Sequence, residues 1–127
     1  MPTFVKSERL CSTLAITHLF SEGYSVFKHP IKIKWIPAKW DNNHQIMVVI
    51  TVSKHKFKRA VDRNKIKRLL RECFRLNKFI LEDGLKSSQC YLALIYAGND
   101  IPEKSTLEPI IIELFQRLIK DYEKLAG

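Results

Sequence analysis

An α/β fold, a mixed sheet with helices packed on it, is predicted by three features of this 127-residue chain. Short runs rich in β-branched residues alternate with long stretches in which apolar residues recur at helical spacing. One of those runs, Cys90–Ala97, is apolar on both faces and so reads as a strand inside the sheet rather than at its margin. A hydrophobic content of 46% is enough for a core, and sparse Gly and Pro with no repeat make one domain over 1–127 the expectation.

Taken in order, Ser12 is placed to cap a short helix ending near Glu22, with Ile16, Leu19 and Phe20 on one face and Gly23 stopping it. Ile31–Trp35 alternates apolar with basic, the pattern of a half-buried strand. Pro37–His44 is a polar turn region. Gln45–Ser53 is a β-branched strand with Val48, Ile50 and Val52 on one face. A long basic helix covers Arg59–Phe79, and Asp83 and Gly84 close that region. After the Cys90–Ala97 strand, Gly98, Asn99 and Asp100 turn the chain. Ser105 and Glu108 have capping-box spacing, with Pro109 in the first turn. Leu107, Ile111, Leu114, Phe115, Leu118 and Tyr122 form the stripe of a last helix. The order is helix, two or three strands, basic helix, strand, helix.

Charge is the most localised property of the chain. Eleven of its 22 Lys/Arg residues, but only two of its 13 acids (Asp62 and Glu72), lie between Lys54 and Lys78. The remainder is balanced, so the net charge of +9 belongs to 25 residues, the footprint of a polyanion site. At 100° per residue, Ile66, Leu69, Leu70, Cys73, Phe74 and Asn77 fall on the side facing the sheet. Asn64, Lys67, Arg68, Arg71, Arg75 and Lys78 fall opposite, over a rise of about 20 Å, long enough to follow several phosphates. A merely solvated face mixes signs at i,i+4, and this one does not. Glu72, at the edge of the arc, is within reach of Arg68 or Arg75. Lys54, Lys56 and Lys58 carry the positive field into the loop before the helix. Phe20, Tyr24, Phe27 and Trp35, beside Lys32 and Lys34, have the composition of a stacking platform for unpaired bases, although Phe20 and Trp35 equally suit a core.

Other classes lack their residues. Cys11, Cys73 and Cys90 are an odd set without C-x-x-C spacing, and the four histidines are scattered, so neither a disulfide framework nor a metal site is expected. Cys73 and Cys90 are expected in the core. No apolar run is long enough to span a bilayer and no signal peptide is visible, which makes the cytoplasm the expected compartment. Phosphate-loop and dinucleotide motifs are absent, and so is a carboxylate cluster for metal-assisted phosphodiester hydrolysis. Any reaction on nucleic acid would take its chemistry from another component. A duplex DNA reader is disfavoured because no second helix-turn-helix element adjoins the basic helix.

The segment KRAVDRNKIKRLLRECFR (58–75) resembles the signature of the bacterial ribonuclease P protein family: A-V, one variable residue, R-N-R, then K-R, two variable residues and R-E/Q followed by an aromatic. The likeness extends through Val52, Ser53 and Lys54, and through Leu19–Gly23. It implies an α/β sandwich (α+β) on a mixed four-stranded sheet, ordered α-β-β-β-α-β-α, with a left-handed crossover. It implies that Lys58, Arg59, Arg63, Asn64, Lys65, Lys67, Arg68, Arg71 and Arg75 face the catalytic RNA. It further implies a cleft for the unpaired 5′ leader of precursor tRNA, formed by Phe20 and Lys54 with Trp35 and Phe27. Catalysis would lie in the RNA subunit with its Mg²⁺, with no cofactor on the protein, no membrane and no protein partner required. Lys65 departs from the second Arg of R-N-R and gives up a two-pronged contact. Ala97–Asp100 lacks the basic residue often found there. The alternative is a structural, ribosomal-type RNA-binding module with no reaction attached.

Overall fold

The computed structural model describes residues 13–38, 45–86 and 88–126. Its elements are α1 (Thr13–Glu22), β1 (Tyr24–Lys28), β2 (Ile31–Ala38), β3 (Ile46–Val52), α2 (Ala60–Leu85), β4 (Gln89–Tyr96) and α3 (Lys104–Ala126). The four strands form one mixed sheet in the order β1-β2-β4-β3. β1 and β4 both run antiparallel to β2, while β3 and β4 are parallel and α2 makes the crossover between them. β4 lies inside the sheet, as its two apolar faces require.

Alternation divides the strands between two faces. Ile31, Ile33 and Trp35 of β2, Val48 and Val52 of β3, and Leu92, Leu94 and Tyr96 of β4 are buried against α2 and α3. The apolar stripe of α2 (Ile66, Leu70, Cys73, Phe74, Leu81, Leu85) meets that of α3 (Leu107, Ile111, Leu114, Phe115, Leu118) in the same core. Phe74 and Phe115 pack edge to face at 6.4 Å. Asn77 is the buried polar residue here; its Nδ2 donates to the Cys73 carbonyl at 2.9 Å and to Glu108 Oε2 at 3.1 Å, locking the two helices in register. On the other face, α1 crosses β2 and β4, with Leu19 buried over Ala93.

Several local expectations change. Tyr24–Lys28 is a strand of its own, paired along β2; only Val26 of its five residues is buried, so it has little apolar signal. β2 continues through Pro37 and Ala38, which pair with β4; the rest of the expected turn, 39–44, lies outside the described residues, as do the Ser12 cap and Cys11. α2 runs to Leu85 rather than Phe79, because Leu81 and Leu85 extend its buried stripe. Gly84 is therefore inside the helix, where it costs about 1 kcal/mol relative to Ala; a Cβ there would overlap the side chain of Ile119. α3 begins at Lys104, so Ser105 is within the helix and Glu108 serves Asn77 instead of a capping box. Pro109 then sits in the second turn, and the carbonyl it leaves unpaired belongs to exposed Ser105.

Cys73 and Cys90 are buried, as expected. Burial, with Glu108 adding to it, pushes the Cys73 thiol up to about 11, and burial alone pushes Cys90 up to about 12. Both stay protonated in the folded chain while an unfolded chain ionises them near about 8.5. The unfolded state thus loses these protons first, and stability falls as pH rises through the ordinary thiol range. A maleimide at neutral pH is expected to label neither thiol in the native protein and both after unfolding. Native labelling of Cys90 at the rate of a free thiol would show that β4 opens.

Candidate nucleic-acid interface

Twenty-six residues of unbroken helix hold the basic stripe straight, because the opposite side of α2 is anchored from Ile66 to Leu85. On the outer side Asn64, Lys65 and Arg68 are exposed and Lys67, Arg71, Arg75 and Lys78 are partly so. Lys58, Arg59, Lys65, Lys67 and Arg68 make no ion pair among the described residues. Glu72 pairs with Arg75 through two contacts, Nε to Oε2 at 3.1 Å and Nη2 to Oε1 at 2.5 Å. The Arg75 hydrogen bond holds the Glu72 carboxyl below its usual range, so this one acid on the flank remains charged and takes up part of the Arg75 fork. The longer helix adds Glu82, four residues after Lys78 on the same stripe, which ends the positive run.

Arg63 does not join the stripe. Its Nη1 donates to the carbonyls of Phe57 at 2.7 Å and Lys58 at 2.9 Å, tying the loop before α2 to the first turn of the helix. The same loop is pinned at two further points. Lys56 Nζ donates to the Ala97 carbonyl at 2.7 Å, and the Ser53 hydroxyl accepts from the backbone N–H of His55 at 3.2 Å. Phe57 is buried against Tyr96 beneath it. The family resemblance, not the charge stripe, counted Arg63 as an RNA contact. Its position, three residues before Ile66 on the inner side, was the available signal that it turns inward.

Beyond the loop lies the α1 face of the sheet, here called the trough. Its floor carries half-buried Ile36, Met47, Val49, Tyr91 and Ile95, and exposed Lys54 stands past the end of β3. Phe20 is half-buried at its α1 wall. Lys34 lies beneath it, with Nζ 5.9 Å from the ring centroid and donating to the Phe20 carbonyl at 2.6 Å. That bond satisfies a carbonyl in the last turn of α1, where a cation also complements the helix dipole. Lys34 is the site residue that alternation alone reveals, since Ile33 and Trp35 on either side face the core.

Trp35 is the correction that follows. Its side chain is 0% exposed, on the α2/α3 face, with Tyr24 at 5.0 Å and Tyr122 at 6.2 Å between ring centroids. The alternation of β2 forces this: Ile31, Ile33 and Trp35 share a face, and that face is the core. No base reaches the ring. Phe27 is 48% exposed on the trough side, next to Lys32 in the β1–β2 ladder.

Known proteins resemble this chain in sequence and in fold. Residues 4–119 match the family model described as Ribonuclease P. A ribonuclease P protein component from Porphyromonas gingivalis is 35% identical over 114 residues, covering 84% of this chain and 81% of the relative. One from Chlorobaculum tepidum is 37% identical over 118 residues, covering 84% and 77%. Among solved structures, the Staphylococcus aureus RNase P protein superposes with a TM-score of 0.72 at 21% identity, covering 89% of this chain and 96% of that one. The Thermotoga maritima protein gives 0.70 at 22% identity, covering 86% and 96%. These two show the shared fold. The mixed four-stranded sheet with three helices is the one expected from the sequence. No helix among the described residues is long and apolar enough to cross a membrane.

Proposed function

The chain belongs to the ribonuclease P protein family, and on that premise we propose that it binds the catalytic RNA through α2 and holds the 5′ leader of precursor tRNA in the trough beside α1. The RNA-facing set is Lys58, Arg59, Asn64, Lys65, Lys67, Arg68, Arg71 and Arg75. Arg63 acts one step back, as the positioning residue of the loop. Phe20 and Lys54 are the leader contacts at the α1 wall and at the end of β3. The observation that carries this reading is the loop 53–59, pinned by Arg63, Lys56 and Ser53, which links the end of β3 to the start of α2 and carries exposed Lys54, Lys58 and Arg59 between them.

Two RNAs brought together repel through their phosphates, and cations fixed between them remove much of that cost. A loop that cannot swing keeps Lys54 at a set distance from the stripe, so a leader lying in the trough is registered against the RNA bound on α2. Alignment of this kind lowers the barrier by removing orientational freedom before the reaction. Among the described residues, no three His, Cys, Asp or Glu side chains gather where they would hold a metal ion, so no step is assigned to a protein-bound metal. Mg²⁺ held by the RNA supplies the nucleophile activation and charge stabilisation of hydrolysis in this reading. The chain's own groups bind and position.

The test is cleavage of a precursor tRNA by a bacterial ribonuclease P RNA at low Mg²⁺, with and without the protein. A stimulation of at least about tenfold, equal to 1.4 kcal/mol off the barrier, is expected. Tight RNA binding with no stimulation would leave a structural RNA-binding module and remove the leader assignment.

A further inference from the structure

Phe79 is the most exposed aromatic side chain among the described residues, at 59%, and it makes no ring contact among them. A single exposed Phe needs no explanation by itself. Its place on α2 does. At 100° per residue, Phe79 falls about 20° from Arg68 and about 40° from Arg75. It is thus on the outer side of the helix, opposite buried Leu70 and Leu81. Lys78 precedes it directly, while half-buried Glu82 and exposed Asp83 lie one turn beyond. The ring stands where the basic stripe stops and acids begin. The family signature ends one turn earlier, at Arg75.

From this position we infer that Phe79 is the terminal stacking site of the RNA face: an unpaired base of the catalytic RNA lies on the ring, with its phosphate toward Arg75 and Lys78. The inference rests on the function proposed above. It adds what that function does not require, that the RNA reaching this end of α2 presents a nucleotide out of its duplex.

Charge selects the occupant. A run of phosphates continuing along the helix axis would meet Glu82 and Asp83 within one turn, about 5 Å, and be repelled. A base is uncharged, so it can cover the junction while its own phosphate stays on the cationic side. A protein partner would have to desolvate Arg75, Lys78, Glu82 and Asp83 around one ring.

The platform is also held in place. Helical side chains lean toward the N-terminus, so Phe79 leans over the turn that carries Arg75. Arg75 is fixed in turn by its two contacts with Glu72, on the side of α2 from which Phe79 emerges. A guanidinium at the edge of the ring adds a second planar group for the base. Nor is this a fraying end. Leu81 and Leu85 are buried beyond Phe79, and the Gln45 side-chain amide donates to the carbonyls of Glu82, at 3.3 Å, and of Lys86. A rigid support lowers the entropy lost when a base stacks on it.

The test measures binding of wild-type protein and Phe79 variants to a bacterial ribonuclease P RNA across a range of salt concentrations, and maps 2′-hydroxyl acylation of the bound RNA. Phe79→Ala is expected to weaken binding about fivefold or more, the low end of the value of one base–aromatic stack. The slope of log K against log salt should not change, since no phosphate contact is lost. Phe79→Trp should keep the wild-type affinity, and Phe79→Leu, apolar but not planar, should not. Acylation should fall at an unpaired nucleotide with wild type and Phe79→Trp and stay high there with Phe79→Ala. An exposed position leaves the melting temperature nearly unchanged, so the fall in affinity is not a loss of fold. Equal affinity of Phe79→Ala and wild type would overturn the stacking site, and so would full affinity of Phe79→Leu or a loss with no change at any unpaired nucleotide. Altered self-association of Phe79→Ala with RNA binding intact would assign the ring to a protein contact and overturn it too. A wild-type protein that does not bind the RNA would overturn the proposed function with it. Wild-type binding with a steep salt slope, indifferent to Phe79, would overturn this site alone.

Discussion

The double substitution Arg68→Glu/Arg71→Glu is expected to abolish stimulation of precursor cleavage and to weaken binding to the catalytic RNA by at least about a hundredfold. Hydrogen bonds to charged groups contribute about 1.5–3 kcal/mol each, so two lost contacts account for at least about 3 kcal/mol before any repulsion is added. Reversal places two carboxylates at the middle of a stripe whose other members are basic or amide, and each then faces phosphate. Both positions are on the outer side of α2, about 100° or more in angle from buried Ile66 and Leu70. The melting temperature should therefore shift little while RNA binding collapses. Salt dependence gives an independent reading. Neutralising about five or six phosphates predicts a slope of about −4 to −5 in log K against log salt, and the double variant should be shallower by about two. Arg68→Lys/Arg71→Lys should keep the slope and lose only part of the affinity, since charge survives without the planar fork. An unchanged slope for the Glu variant would remove these two residues from the RNA face, even if cleavage fell.

The basic helix was the most legible part of the chain because two independent periodicities coincide there. Apolar residues at Ile66, Leu70, Cys73 and Phe74 mark the inner side, and the absence of acids between Asn64 and Arg71 marks the outer one. The family resemblance placed Arg63 on the RNA face, whereas its Nη1 donates to main-chain carbonyls of the preceding loop. Composition says which residues suit phosphate but not which are already engaged. β1 was illegible for a related reason: an edge strand with one buried residue in five leaves almost no alternation to detect. The helix end was misplaced because Gly84 reads locally as a stop signal, and its real reason is a close approach by Ile119 from another element. Such contacts are long-range, and no window along the sequence contains them. The trough was half legible. The structure puts Phe20, Phe27, Lys32 and Lys34 of the expected group on one face of the sheet and Trp35 with Tyr24 on the other, a division set by the register of β1 and β2.

Trp35→Ala separates those two sides of β2 and is expected to act on stability alone. The indole is fully buried beside Tyr24 and Tyr122, in contact with a core built from three elements. Emptying such a site costs about 3–5 kcal/mol, from lost transfer energy and the cavity left behind. For a chain of this size that amounts to a fall in melting temperature on the order of 10 °C or more. A leader contact at Trp35 would predict the reverse pattern, a near-normal melting temperature with weakened binding of the leader. Measured well below its own melting temperature, the Trp35→Ala protein should bind long- and short-leader precursors in the wild-type ratio. Lys34→Met makes the complementary case. Its ammonium secures the Phe20 carbonyl and lies under the Phe20 ring on the trough side, so that substitution should change the leader-dependent ratio while costing far less stability than the indole. Adjacent residues of one strand would then give opposite signatures, one thermal and one RNA-dependent. Failure of that contrast, with Trp35→Ala altering the leader ratio at full stability, would mean that β2 presents its other face to RNA and that the register described for the sheet is wrong by one residue.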